Sequence, residues 1–312
     1  MIYVLLVLLI ILALCVLREP RNVGVIIFMC IFSLLASMSF FLLGSPDVAM
    51  AEAAIGAFTT IFFVICFEKY DDLKIDQVPA QKKSRKEQAR SLRKFIVPVG
   101  FVALLFALFL HFAPQGEANP FLKNQYLLHF MYDVGGQNAV TAIYLGYRVY
   151  DTLFEALVLI ASVIAVAHMS YSSEVTVKDG KHSDVERSVL VYAVMHIIPV
   201  IILLFGVYLI LNGHITAGGG FQGGLFIAAF FVCRYLAYDI FDLPIAKIFR
   251  MEEFVFSFAV LLVIFVIFLG VSAHLPPIFQ SLYMIVMNLL IGMKVACGFI
   301  ILFYRYIAIE RR

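Results

Sequence analysis

Charge is scarce in this chain. Of 312 residues only 14% are Asp, Glu, Lys or Arg, 63% are hydrophobic, and the mean hydropathy is +0.99. So little polar surface excludes a soluble globular domain. A net charge of +2 is too small to hold nucleic acid. Cysteine is sparse and scattered: Cys15, Cys30, Cys66, Cys233 and Cys297 lie in or beside apolar runs, with no CxxC pair. That arrangement indicates neither a disulfide framework nor a cysteine metal cluster. No haem, iron–sulfur or nucleotide ligand set is visible, so no cofactor is expected and the chain alone is not expected to be an enzyme. The polar–apolar alternation of a membrane β-barrel is missing. The first apolar run, 2–17, has no basic region before it and no small-residue cleavage site after it. It is expected to be a first span and not a removed signal.

What is present is a series of apolar runs of the length an α-helix needs to cross a bilayer. They predict spans at 2–17, 23–43, 47–67, 95–113, 151–169, 188–211, 221–238, 253–271 and 280–304. In lipid the backbone must satisfy its own hydrogen bonds, so the expected fold class is all-α, polytopic and multi-pass in the cell inner (plasma) membrane. Placing the basic segment 68–94 inside fixes the side of every other segment. Of the 23 Lys and Arg residues, only Lys123 and Arg148 then fall outside; Lys294 lies within the last span, and Arg234, towards the inner end of the span 221–238, counts with the inner side. This asymmetry predicts the N-terminus out and the C-terminus in. Two polar breaks, 68–94 and 171–188, divide the spans 3+2+4 into units at 1–94, 95–187 and 188–312. No internal repeat is evident.

Several polar residues interrupt the apolar runs. Asp151 and Glu155 stand four apart at the mouth of the fifth span, on one helix face. A carboxylate inside a span costs roughly 2.5–3.5 kcal/mol at mid-bilayer, so it needs a partner, a proton or water. Two readings are open: headgroup-level acids, with Arg148 pairing Asp151, or a cation or proton site. In Gly44-Ser-Pro-Asp47, the serine and proline suit a helix start and Asp47 suits its N-terminal field. Glu52, roughly 7–8 Å deeper by helical rise and among Ala and Gly, is expected to be buried and partnered or protonated. On the predicted topology both Asp-over-Glu pairs lie at similar depth in the outer leaflet. They form one cation entrance if their helices are close.

The outer segment 114–150 is long for a structureless loop. Gly135-Gly-Gln-Asn138, followed by Ala139, Val140, Ile143, Tyr144 and Tyr147 at helical spacing, predicts an interfacial helix. Asp133 and His129 are expected to be solvated. His196 in the sixth span is either a core residue or a proton relay, and Pro199 should kink that helix. Lys294, in the last span with Asn288, must be neutral or paired. Its expected partners are Glu52, Glu155 or an acid of another subunit. Between spans six and seven, Gly218, Gly219, Gly220, Gly223 and Gly224 allow a tight turn and close helix packing. A broken helix aiming backbone dipoles at an ion is the alternative. The GxGxxG letters at 218–223 follow no strand and are read as accidental.

Three stretches, in order, resemble a known set. Ser45-Pro-Asp-Val-Ala-Met-Ala-Glu52 resembles the PDVALTE-type motif of the D-like unit of membrane-bound hydrogenases, also found near the C-terminus of the large A subunit of Mrp antiporters. Arg148-Val-Tyr-Asp-Thr-Leu-Phe-Glu155 resembles the FRGFDTLGE motif of the E-like unit. Gly213-His-Ile-Thr-Ala-Gly-Gly-Gly-Phe-Gln-Gly-Gly224 resembles the GHNxPGGGFxGG motif of the Mrp B subunit. Val149 and Phe154 replace glycines of the usual pattern, Ile215 its asparagine and Ala217 its proline.

The resemblance implies a fused D-like, E-like and B-like subunit of an Mrp-type sodium/proton antiporter module, standing alone or inside a membrane respiratory complex. The implied ion pathway uses the motif acids Asp47, Glu52, Asp151 and Glu155, with transient sodium at Glu52 and Glu155; His196 and Lys294 are the further candidates. The implied partners are the other Mrp-type subunits, including the large antiporter-like one that this chain lacks, and in some assemblies a redox module. A purely structural docking module and a self-sufficient transporter are the competing expectations.

Overall fold

The helix Pro277–Glu310 is the axis on which much of the chain packs. Two thirds (67%) of its apolar window Ile278–Tyr306 is buried, against 17–28% in the other four helices long and apolar enough to cross a membrane. The computed structural model of the chain describes residues 2–72, 100–108, 110–111, 120–171, 189–238, 243–268 and 276–310, and among them all regular structure is helical. Side chains at 68–72, 169–171, 189–196, 236–238, 277 and 307–310 are outside that description. The chain divides into two units, Met1–Tyr70 with Tyr126–Arg312, and Asp71–Gln125. In the second unit, 100–108 and 110–111 are helical, within the span expected at 95–113. The remainder of that span and the polar breaks at 73–94 and 172–187 lie outside the described residues.

The other helices are α1 (Ile2–Arg18), α2 (Asn22–Leu42), α3 (Pro46–Asp72), α4 (Phe121–Asp133), α5 (Ala139–Ala142), α6 (Val149–Tyr171), α7 (Val189–Asn212), α8 (Gly220–Tyr238) and α9 (Ile245–Phe268). The axial helix is α10. A π-helical turn, Ile143–Tyr147, joins α5 to α6. Five helices, α2, α3, α6, α9 and α10, are long and apolar enough to cross a membrane, and α1, α7 and α8 contain shorter apolar stretches. The described part of the chain is thus a multi-pass helical membrane protein, its outward faces lined with Leu, Ile, Val and Phe.

Around α10 pack α6, α7, α8 and α9. Glycine sets the closest approaches. A Cβ on Gly223 of α8 would lie 2.5 Å from the carbonyl oxygen of Gly206 on α7, and one on Gly220 would lie 2.5 Å from that of Asn288 on α10. One on Gly224 would strike the carbonyl oxygen of Gly292. Backbone pressed on backbone maximises dispersion where lipid supplies no hydrophobic drive between helices. Helix α3 joins the same bundle through Ala54, Phe58 and Ile65, which pack with Leu225, Ala228 and Val232 of α8 and with Ile300, Phe303 and Tyr304 of α10.

One expectation needs correction: the eighth span begins not at 253 but at Ile245, so Glu252 lies inside a spanning helix. Pro199 lies buried within α7. A helix follows Asn138 as the spacing predicts, as α5 and its π-helical turn, and α4 precedes it.

Candidate functional site

Asp47 stands in the first turn of α3, where a capping role was expected. Its carboxylate instead ties three segments distant in sequence. Oδ1 accepts from Gly218 N at 3.0 Å and from Asn138 Nδ2 at 3.0 Å, and the Asp47 carbonyl accepts from Gln222 Nε2 at 3.4 Å. Asp47 is 7% exposed, so these donors replace most of its water. Asn138 is the other hub. Its Oδ1 caps α5 by accepting from Val140 N at 2.9 Å, and its Nδ2 also donates to the carbonyls of Thr216 and Gly213. The Gln137 and Asn138 amides donate to the carbonyl of His214, and Thr141 Oγ1 donates to that of Gly213 at 2.6 Å. Gly218 and Gly219, at φ +147° and +153°, give the loop the conformation that presents its amides. The glycine-rich break thus points one backbone amide, that of Gly218, at a carboxylate of the same chain.

Glu52 lies half-buried one face along α3. Ser33 Oγ of α2 donates to Glu52 Oε1 at 2.8 Å, and Gly56 leaves the room that Ser33 fills. Asp151 is 49% exposed and forms an ion pair with Arg148, its expected neighbour. Thr152, buried beside it, donates to the carbonyl of Tyr144 at 2.6 Å and so closes the π-helical turn. Tyr147 donates to Asp133 Oδ2 at 2.6 Å; burial and then this bond raise its hydroxyl above the ordinary tyrosine value. Asp133 is therefore half-buried and bonded, not simply solvated. Tyr126 stacks on Tyr147 at 4.7 Å between ring centres.

Glu155, one turn beyond Asp151, opens on a cavity of about 460 Å³. Its walls include Ala51 of α3, Glu155 of α6, Phe221 and Gln222 of α8, and Val295 of α10, with Tyr144 at one edge. The helices that carry the two acidic motifs therefore do border one space. Gln222 links the Asp47 network to that space. Tyr144 links it to α10: its hydroxyl donates to Asn288 Oδ1 at 3.0 Å, which also accepts from Gly220 N at 3.0 Å. The pocket between these helices is mainly apolar, with one carboxylate, Glu155, and the side-chain oxygens of Tyr144, Thr152 and Gln222 as its polar groups.

Lys294 is fully buried on α10, 1% exposed, and its Nζ lies 3.2 Å from Oε1 of Glu252 on α9. None of the partners expected for it from this chain is used. Glu252 was missed because Met251-Glu252-Glu253 reads as the end of a charged connection. Asn138 was also missed, although an asparagine directly before a helical pattern is an N-cap signal. Gln222 carried no signal beyond its place in the glycine motif. His196 falls within α7, and its side chain is outside the described residues.

Residues 190–310 match the family described as "Domain related to MnhB subunit of Na+/H+ antiporter", and residues 7–72 match the MbhD family, the D component of MBH. The chain is 32% identical over 129 residues to the antiporter subunit mnhA2 of Staphylococcus saprophyticus, covering 41% of this chain and 15% of that protein. Its fold is shared with a chain of the Mrp complex from Dietzia sp. DQ12-45-1b, at TM-score 0.67 and 19% identity, over 95% of this chain and 34% of that one. A chain of the membrane-bound sulfane sulfur reductase, an archaeal respiratory membrane complex, matches at TM-score 0.56 and 26% identity, over 70% of this chain and 97% of that one. This chain thus spans only a small part of the first two relatives. The fold is that of a polytopic helical membrane protein. The two family matches, on one chain and in this order, support a fused Mrp-type module.

Proposed function

We propose that this chain is a non-redox subunit of an Mrp-type cation/proton antiporter module, and that it lends carboxylates to a sodium path within a larger complex. The observation that carries this reading is the cavity in which Glu155 of α6 faces α3, α8 and α10. A carboxylate that borders such a space beside neutral oxygens attracts a cation and repels an anion. Asp151, with Arg148, stands at the approach, and Glu52 lies on α3 with Ser33 as its polar partner. His196 and Lys294 remain in the proposed route, with the glycine-rich break (Gly218, Gly219, Gly220, Gly223, Gly224) shaping its wall. The names of the relatives, an antiporter subunit and an Mrp complex, support the same reading.

The assembly we infer holds the chain in the plasma membrane with the N-terminus out and the C-terminus in. Its parts are a D-like unit at 1–94, an E-like unit at 95–187 and a B-like unit at 188–312. The remaining Mrp-type subunits, including a large antiporter-like one, supply the rest of the pathway, and a redox module accompanies them in some complexes. For Asp47 a structural role is the better reading, because its carboxylate is already taken up by Gly218 and Asn138. The test is Glu155→Gln in the assembled complex. Sodium-dependent proton exchange should fall at least tenfold at unchanged abundance; exchange at the wild-type rate would remove Glu155 from the path.

A further inference from the structure

The ion pair between α9 and α10 is poorly supported for a structural one. A buried pair holds its charge best when further hydrogen bonds satisfy the remaining lone pairs and protons. Beyond the 3.2 Å contact between them, Lys294 Nζ and Glu252 Oε1 have no hydrogen-bond partner among the described residues. Lysine is the cation that readily gives up its proton when buried. The pair also adjoins the cavity. Leu159 of α6, one turn beyond Glu155, lines the cavity. A Cβ on Gly298 would lie 3.0 Å from Leu159 Cδ2 and 3.4 Å from Glu252 Oε1, so both side chains meet at this one glycine. Val295, which follows Lys294 in α10, is itself a cavity wall.

We propose that Lys294 is a proton-exchanging group coupled to the Glu155 cavity, with Glu252 as the residue that positions and balances it. The inference rests on the proposed cation path through that cavity. A cation arriving beside Glu155 adds positive charge near the pair and disfavours the ammonium. One N–H bond of Lys294 then breaks, the proton leaves to water, and a neutral amine remains beside the Glu252 carboxylate. When the cation departs, the amine takes a proton back from water. No electron moves, and one positive charge replaces another, which is the balance that exchange requires. Among the described residues, the other titratable groups beside the pair are Glu253 on α9 and Cys297 on α10, and Glu155 on α6 faces the adjoining cavity.

The test uses the purified, assembled complex in liposomes, read as sodium-driven proton exchange per complex. Lys294→Arg keeps a cation for Glu252 but cannot release a proton. The apolar double variant Glu252→Leu/Lys294→Met removes the pair, an exchange that buried pairs often tolerate in stability. Both should assemble and lose exchange at least tenfold. Glu252→Gln, which removes the negative partner, should move the pH of half-maximal exchange downward by at least one unit. Wild-type exchange in Lys294→Arg or in the double variant, an unmoved pH profile in Glu252→Gln, or failure of both Lys294 variants to assemble would overturn the proposal. In the last case the pair is a structural clasp. Loss in Glu155→Gln with wild-type exchange in the Lys294 variants sinks this inference alone, whereas wild-type exchange in Glu155→Gln as well sinks the cation path beneath it.

Discussion

The Asp47 carboxylate accepts a hydrogen bond from the backbone amide of Gly218 at 3.0 Å, across 171 residues of chain. It joins the start of α3 to the loop before α8, two segments from the ends matched to different families. With Asn138 on the same oxygen, one buried atom holds three parts of the chain together.

Asp47→Ala should therefore destabilise the protein. It strands the Gly218 amide in a buried site, while the Asn138 amide keeps the carbonyls of Gly213 and Thr216; a hydrogen bond to a charged group contributes about 1.5–3 kcal/mol. Thermal unfolding of the purified complex should shift down by several degrees. Asp47→Asn, which keeps an acceptor oxygen, should cost less. Equal stability of Asp47→Ala and wild type would show that the network does not hold the segments together.

Gly223→Ala should be poorly tolerated, because the new methyl would press on the carbonyl oxygen of Gly206 and on Ile210. Overpacking of this kind costs about 1–3 kcal/mol, and it should read as lower abundance in the membrane. Gly100→Ala is the control, since nothing lies within 4 Å of its added methyl. A Gly223→Ala protein as abundant as the control would contradict the close α7–α8 contact.

Much of this was legible in the residues. Long apolar runs announce helices because lipid leaves the backbone no alternative, and the three motifs mark the segments that meet around Asp47 and Glu155. What was not legible is pairing across helices. Lys294 demanded a partner, but sequence spacing says nothing about which helix will face it, and Glu252 was hidden by a span drawn too short. Asp47 carried a sufficient local explanation as a helix-start acid. Only the three-dimensional arrangement shows that its oxygen is used elsewhere.

Orientation is tested by single cysteines in a cysteine-free version. The distribution of Lys and Arg predicts that cysteines near Ser84 and Ser173 are shielded from an impermeant thiol reagent in intact cells, and that one near Gln115 reacts. Labelling at Ser84 but not at Gln115 would reverse the topology.

Glu52→Gln should keep the contact to Ser33, whose hydroxyl can still donate to the side-chain oxygen. Assembly should be normal and sodium-dependent exchange reduced, because only the charge is lost. Wild-type exchange at normal abundance would assign Glu52 to packing between α2 and α3.

In the proposed function the chain contributes to an ion path without forming a complete one. The decisive comparison sets the isolated chain beside the complex obtained by mild-detergent purification, each reconstituted in liposomes under a sodium gradient. Several other membrane proteins should co-purify in fixed ratio, the complex should exchange sodium for protons, and the isolated chain should not. Exchange by the isolated chain at the rate of the complex would contradict the proposed function and make the chain a self-sufficient transporter.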